Sequence, residues 1–269
     1  MRTVYFISDL HLGAYNIADE QEKEKRLLSW LRKIETEQAE LIIVGDLFDF
    51  WFEYKHVILR KHIRVLAQLQ SLCQASPVHY VAGNHDFWLD SFMREDIGLI
   101  IHAEEYVFLL DQYKVYIKHG DGLLRNDYGY RFLKRILRNK MNIFLYRMLH
   151  PDIGVPFALF CSHLSRRSGE KSRHEYMDID YRKFAMEKIE QGFQFVVLGH
   201  THWAALEKHG DGHYINPGYW GKDFTYAVIR EGRVELHWWD GENEHPYIPD
   251  YPPGNLKQND GGACVSCFI

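Results

Sequence analysis

With 269 residues, 46% of them hydrophobic and 15% aromatic, the chain carries enough apolar material to bury a large core as one α/β domain with an insertion. A net charge of −5 argues against a general nucleic-acid binder, and no apolar run reaches the roughly 18–20 residues that a membrane-spanning helix needs. Met1-Arg2-Thr3 leads straight into an apolar run without a secretory signal, so the expectation is a cytoplasmic protein.

The first β-prone run is Val4-Tyr5-Phe6-Ile7, and it ends at Asp9-Leu10-His11. Leu27, Leu28, Leu31 and Ile34 then recur at helical spacing and predict a helix over about 19–36. Leu41-Ile42-Ile43-Val44 is the second run, closed by Gly45-Asp46 with Asp49 close behind. Ile58, Ile63, Leu66, Leu69 and Leu72 predict a second helix over about 57–74. Val78-His79-Tyr80-Val81 leads into Gly83-Asn84-His85-Asp86, and Val115-Tyr116-Ile117 leads into His119-Gly120-Asp121.

After Gly122 the pattern changes. From Leu123 to about Gln191 only helical periodicity is visible, broken near His150-Pro151, Val155-Pro156 and Ser168-Gly169. Phe195-Val196-Val197-Leu198 restores the strand pattern and ends at Gly199-His200-Thr201-His202. Tyr226 to Ile229 and Val234 to Trp239 read as two more strands. The expected organisation is a domain over 1–240, interrupted by a helical lid insert over about 123–191, with a Pro-, Gly- and Asn-rich tail over 241–269.

Five strand ends therefore deliver Asp, Asn or His, which places a polar crevice at the usual ligand site of an open α/β sheet. Taken singly, each motif reads as a cap or a satisfied polar residue; five in order point to metal ligation. Carboxylate, amide and imidazole donors suit Mn²⁺, Fe²⁺ or Zn²⁺. They outnumber what one ion can use, and two ions about 3.5–4 Å apart around a bridging carboxylate form a clamp for displacement at phosphorus. Gly45, Gly83, Gly120 and Gly199 stand where each strand must turn sharply beside such an ion.

These ordered blocks resemble the calcineurin-like metallophosphoesterase superfamily over roughly Val4 to Trp220. The resemblance implies a four-layer αββα sandwich of two mixed sheets with a helical cap, and two divalent ions, Mn²⁺ first among them. One ion would be held by Asp9, His11, Asp46 and His202, and the other by Asp46, Asn84, His119 and His200, with Asp46 as the bridge. His85 matches the superfamily histidine that acts as general acid or steadies the transferring phosphoryl group, and Asp86 would orient it.

Gly45-Asp46-Leu47-Phe48-Asp49-Phe50-Trp51, Asn84-His85-Asp86-Phe87, His119-Gly120-Asp121-Gly122 and Tyr214-Ile215-Asn216-Pro217-Gly218-Tyr219-Trp220 are similar to the UDP-2,3-diacylglucosamine pyrophosphatases of lipid A synthesis. That subgroup implies a lipid-linked UDP-sugar substrate and peripheral contact with the cytoplasmic face of the inner membrane, with no nucleic acid and no obligate protein partner. One position departs from it: His85 stands where the best-known members carry arginine. A phosphodiesterase or phosphatase for a soluble nucleotide is the alternative enzyme, and a metal-binding scaffold without catalysis the alternative from another class.

Within the insert, Phe132, Leu133, Ile136, Leu137, Ile143, Phe144, Leu145 and Met148 alternate with Arg131, Lys134, Arg135, Arg138, Lys140 and Arg147. That pattern by itself suits a core-packing helix with a solvated charged face more than a lipid-facing lid, but the insert's emergence directly from His119-Gly120-Asp121-Gly122 favours the lid. Arg125 and Asn126, nearest the fourth motif, are candidates for phosphate or sugar contact. Arg166, Arg167 and Lys171 form a basic cluster that reads either as a phosphate cradle or as ordinary solvated charge. Tyr15 and Asn16 are candidate pocket walls, and Asp49 a candidate outer carboxylate. Cys73 and Cys161 read as buried thiols, and the Cys264/Cys267 pair, lacking further ligands, is given no function.

Overall fold

The computed structural model describes residues 2–14, 16–124, 128–169 and 174–249; the side chains of residues 17, 128–131, 133, 163–169 and 174–178 lie outside that description. Its strands are short and apolar because most are covered on both faces. β1 (Val4–Ile7), β2 (Glu40–Ile43) and β3 (Val78–Val81) are buried throughout and run parallel, with Tyr5 opposite Leu41 and Ile42 opposite His79. β4 (Ile100–His102) extends them on one side, while β10 (Thr225–Arg230), β11 (Arg233–Trp239) and β12 (Glu244–Pro246) extend them antiparallel on the other.

The second sheet runs β5-β6-β7-β9-β8, built from β5 (Glu105–Leu110), β6 (Tyr113–Lys118), β7 (Phe195–Leu198), β8 (Ala205–His209) and β9 (Gly212–Asn216). β6, β7 and β9 are parallel and β5 and β8 are antiparallel edges, so both sheets are mixed.

The layers follow from which way alternate residues point. Tyr5, Ile7, Leu41, Ile43, Val78 and Tyr80 face α1 (Ile17–Glu37) and α2 (Ile63–Ala75), meeting Trp30, Ile34, Leu66 and Leu69. Val4, Phe6, Ile42, Val44 and Val81 point the other way, into Val115, Ile117, Phe195 and Val197 of the second sheet. The outer face of that sheet, through Tyr116, Val196 and Tyr214, packs on Tyr181 and Ala185 of α6 (His174–Glu190). Helix, sheet, sheet and helix stack as expected for an α/β sandwich.

Helix α1 begins where the Asn16 side chain accepts from Asp19 N at 3.1 Å and ends at Gln38 in the left-handed region, within two residues of the expected 19–36. The second expected helix is shorter than 57–74: residues 60–62 form a 3₁₀ turn and α2 starts only at Ile63. The stretch between β6 and β7 carries α3 (Tyr128–Leu137), α4 (Lys140–Arg147), α5 (Pro151–Gly169) and α6. The segment after 241 is not all tail, because Glu244–Pro246 pairs with β11 and Glu244 takes Arg230 and Tyr226 as partners. All parallel strands end at one rim of the sandwich, and the five polar motifs sit there.

Candidate metal centre

Each motif loop is bent back by residues in the left-handed region: Asp9 (φ 55°), His11 (45°), Asp46 (54°), His200 (69°) and His202 (63°). Such angles are costly for side chains that carry a Cβ, and they gather at functional sites. Two glycines allow the loops to meet. A Cβ on Gly83 would fall 2.1 Å from Asp46 Oδ1, and one on Gly45 2.4 Å from His119 Nδ1.

The loops are stapled to one another. Leu10 N and His11 N both donate to Asp46 O, at 2.9 and 3.0 Å, and Asp9 Oδ2 accepts from His200 N at 2.9 Å. Lys23, almost fully buried on α1, donates from Nζ to the carbonyls of Leu10 (3.1 Å) and His11 (2.9 Å) and pairs with Glu20 at 2.8 Å. Asn216, also buried, donates to Thr201 Oγ1 at 2.8 Å and holds the His200–His202 turn.

Two triads of buried donors result, each with its ligand atoms within 4.8 Å of one another: Asp9, His11 and His202, and Asp46, His119 and His200. His11 Nε2 lies 3.1 Å from His202 Nε2, and His119 Nε2 lies 3.2 Å from His200 Nδ1 and 3.1 Å from Asn84 Oδ1. Asp46 stands between the triads, its Oδ2 3.8 Å from His11 Nε2 and 3.2 Å from His119 Nε2. A third grouping joins His11 to Asp49 and His85.

Every residue expected as a metal ligand thus converges on one place. His119 Nδ1 donates to Val44 O at 2.7 Å, which fixes the tautomer and leaves Nε2 as the ligating lone pair.

Electrostatics match this donor set to divalent cations. Burial alone would raise the carboxyls of Asp9 and Asp46, but the neighbouring imidazoles, His202 and His11 for the first and His119 and His85 for the second, hold both well below the usual range. Burial would likewise push His11 and His119 down, yet the carboxylates win. Asp49 and Asp9 raise His11 to about 9, and Asp46 raises His119 to about 10. His200 is the exception, lowered to about 3 by burial and by the adjacent His119. A pocket that stabilises positive charge this strongly, with Asp9 Oδ1 buried and without a hydrogen-bond partner among the described residues, fits divalent ions of the oxygen- and nitrogen-loving kind.

Three placements differ from the sequence reading or add to it. Asp86 does not reach His85: its carboxylate accepts from Gly83 N (3.0 Å), Asp46 N (3.3 Å), Phe48 N (3.3 Å) and the Tyr80 hydroxyl, so it builds the two loops. Burial and the nearby Asp46 raise its carboxyl to about 6. His85 is oriented instead by Asp49, whose carbonyl accepts from Nδ1 at 2.9 Å, and by Ser162 of α5, whose Oγ is 3.2 Å from the same nitrogen. Asp49 also sets its carboxylate 3.6 Å from His11 Nδ1.

The only trace of Lys23 in the sequence is a lysine four residues before Leu27 on the apolar stripe; Ser162 left none. Asn16 caps α1 on an exposed surface. Tyr15, Arg125, Asn126, Lys171, Cys264 and Cys267, and the side chains of Arg131, Leu133, Arg166 and Arg167, lie outside the described residues.

Above the centre, α4 and α5 pack on Phe50, Phe52 and Tyr54 through Ile143, Tyr146, Val155 and Leu159. They leave much apolar surface open: Phe132, Phe144 and Met148 are 64%, 58% and 72% exposed. A cleft of about 340 Å³ is lined by Phe52, Phe87, Trp88, Leu89, Ile143 and Phe144 together with Glu53, Asp90, Lys140 and Arg147, the last paired with Asp90 at 3.2 Å. Lys134 of α3 reaches back to Asp121 at 2.7 Å, tying that helix to the fourth motif. Among the described residues no helix is long and apolar enough to cross a membrane.

Residues 2–204 match the family model described as calcineurin-like phosphoesterase. Among curated relatives, the UDP-2,3-diacylglucosamine hydrolase of Porphyromonas gingivalis is 31% identical over 256 residues, covering 88% of this chain and 94% of that protein. The proteins of the same name from Proteus mirabilis and Haemophilus influenzae are each 26% identical, over 86% and 84% of this chain and 96% and 93% of their own lengths.

Proposed function

This chain belongs to the calcineurin-like phosphoesterase family, and we propose that it hydrolyses the pyrophosphate bond of UDP-2,3-diacylglucosamine to UMP and 2,3-diacylglucosamine 1-phosphate. The observation that carries this reading is a metallophosphoesterase-type centre whose third motif runs directly into Phe87 and Trp88 of a cleft of about 340 Å³, walled mainly by aromatic and aliphatic side chains with Glu53, Asp90, Lys140 and Arg147 among them. Such a cleft suits acyl chains, because each buried methylene contributes about 0.8 kcal/mol. The relatives' activity over nearly their full length supports the same substrate.

In this reading Asp9, His11, Asp46 and His202 hold one Mn²⁺, and Asp46, Asn84, His119 and His200 hold the other. When bound, the ions supply positive charge for the phosphoryl oxygens and acidify a water. The side chains do the rest. Donation from His85 Nδ1 to Asp49 O leaves Nε2 to steady the phosphoryl group or to protonate the departing oxygen, and Ser162 keeps the ring in that pose. Asp86 and Lys23 hold the loops so that the donors do not reorganise on binding. The exposed apolar residues of α3 to α5, flanked by Lys140 and Arg147, form the face that rests on a membrane surface.

His85 in place of arginine favours one second reading, a phosphodiesterase acting on a soluble nucleotide. Incubating the Mn²⁺-loaded protein with UDP-2,3-diacylglucosamine and identifying products by mass spectrometry separates the two. UMP with the acylated sugar phosphate is the expected pair. No turnover of this substrate, alongside rapid hydrolysis of a soluble nucleotide diester, would move the assignment to the second reading.

A further inference from the structure

A second cavity adjoins the first and second motif loops. Leu12 and Gly13 continue directly from His11, and Phe50 directly from Asp49; with His62 and with Val155 and Leu159 of α5, they line a half-open cavity of about 150 Å³. Arg60 and Lys61, both exposed, stand at its edge. The position relative to the chemistry is set by α5. Leu159 precedes Ser162 by three residues on that helix, so the two share a face, and the Ser162 hydroxyl meets His85 at 3.2 Å. The cavity is therefore about one helical turn from the ring that faces the phosphoryl group.

Its size and walls are selective. A cavity of this volume with largely apolar walls is matched in size to one six-membered ring. His62, tilted against Phe48 with ring centroids 5.0 Å apart, adds a polar handle. Burial and the adjacent Lys61 lower it to about 4, so the ring is neutral and offers one N–H and one lone pair. That pair matches the acceptor and donor of an imide edge. Two cations at the mouth suit the phosphate that follows a nucleoside.

We propose that this cavity seats the single-ring base of a pyrimidine nucleotide whose phosphate lies at the metal centre, with Arg60 and Lys61 set against the phosphate side. The proposal rests on the phosphoesterase reading and adds the basis of nucleotide choice.

The test uses the full-length, Mn²⁺-loaded protein and a chromogenic phosphodiester, with UMP, AMP and ribose 5-phosphate as inhibitors. UMP is expected to bind at least tenfold more tightly than either of the others. Leu159→Phe, which fills the cavity, should collapse the ratio of the ribose 5-phosphate and UMP inhibition constants toward one. Equal inhibition by UMP and ribose 5-phosphate in the wild type, or an unchanged ratio in folded Leu159→Phe, overturns the proposal. Should that variant fail to fold, the exposed pair Arg60→Ala/Lys61→Ala decides: severalfold weaker binding of both UMP and ribose 5-phosphate supports it, and unchanged UMP binding overturns it. If UMP selectivity holds while UDP-2,3-diacylglucosamine is not cleaved, the lipid substrate fails and the base site stands. If that substrate is cleaved without UMP selectivity, the base site alone fails.

Discussion

Replacing Asp49 by asparagine removes a buried negative charge 3.6 Å from His11 Nδ1 and 3.8 Å from His85 Nδ1 while keeping the side chain's volume. His11 is raised from 6.5 to about 9 although burial opposes the rise. At about 1.36 kcal/mol for each pKa unit, the surroundings favour positive charge at that ring by roughly 3 kcal/mol net. Asp49 is the largest of the favourable contributions, ahead of Asp9 and Asp46. A divalent ion on the other ring nitrogen draws on the same field, and Mn²⁺ affinity should fall about ten- to thirtyfold, within the range usual for losing a residue that supports a ligand. Titration calorimetry of Mn²⁺ into the metal-stripped protein at neutral pH measures this, with circular dichroism confirming the fold. An affinity within twofold of wild type would refute the idea that Asp49 works through His11.

His85→Ala should keep its full complement of Mn²⁺ and lose about 10²–10⁴ in kcat, the size of an acid–base contribution; loss of an ion from the purified variant would instead make His85 a ligand. Phe132→Ser with Phe144→Ser removes two side chains that are 64% and 58% exposed, so Tm should hold while KM for the acylated substrate rises roughly 10²- to 10⁴-fold at about 1.5–3 kcal/mol for each side chain that the acyl chains bury fully. A fall in Tm with equal losses on an acyl-free diester would show that they pack the core. The metal-stripped protein should lose thermal stability as pH rises. His11 and His119 are raised to about 9 and about 10, so their contribution is complete below the unfolded value near 6.5 and is lost between about pH 7 and 10. A calorimetric Tm that stays flat over that window would contradict the charge balance described for the centre.

How much of this was legible beforehand depended on whether the signal was local. Val4 to Ile7, Leu41 to Val44 and Phe195 to Leu198 announce themselves because strands covered on both faces must be apolar throughout, and the polar residues just past them mark the rim. The edge strands did not. β4, β5 and β8 are half exposed and mix polar with apolar residues, so their composition does not separate them from loops. The sequence extends the second helix over Arg60-Lys61-His62 because Ile58 stands before them and Ile63 opens the apolar stripe of α2 after them.

From the sequence alone came the candidate ligand set, the chemistry that oxygen and imidazole donors select, and the helical interruption between the fourth and fifth motifs. Tertiary structure alone decided the partners. Asp86 turns to Tyr80 and the loop amides and leaves His85 to Asp49 and Ser162, and Lys23 comes from α1 to hold the first loop. The physical reason is distance along the chain. Periodicity records which face of an element is buried, but which side chain arrives from 77 residues away, as Ser162 does at His85, depends on how sheets order and helices dock.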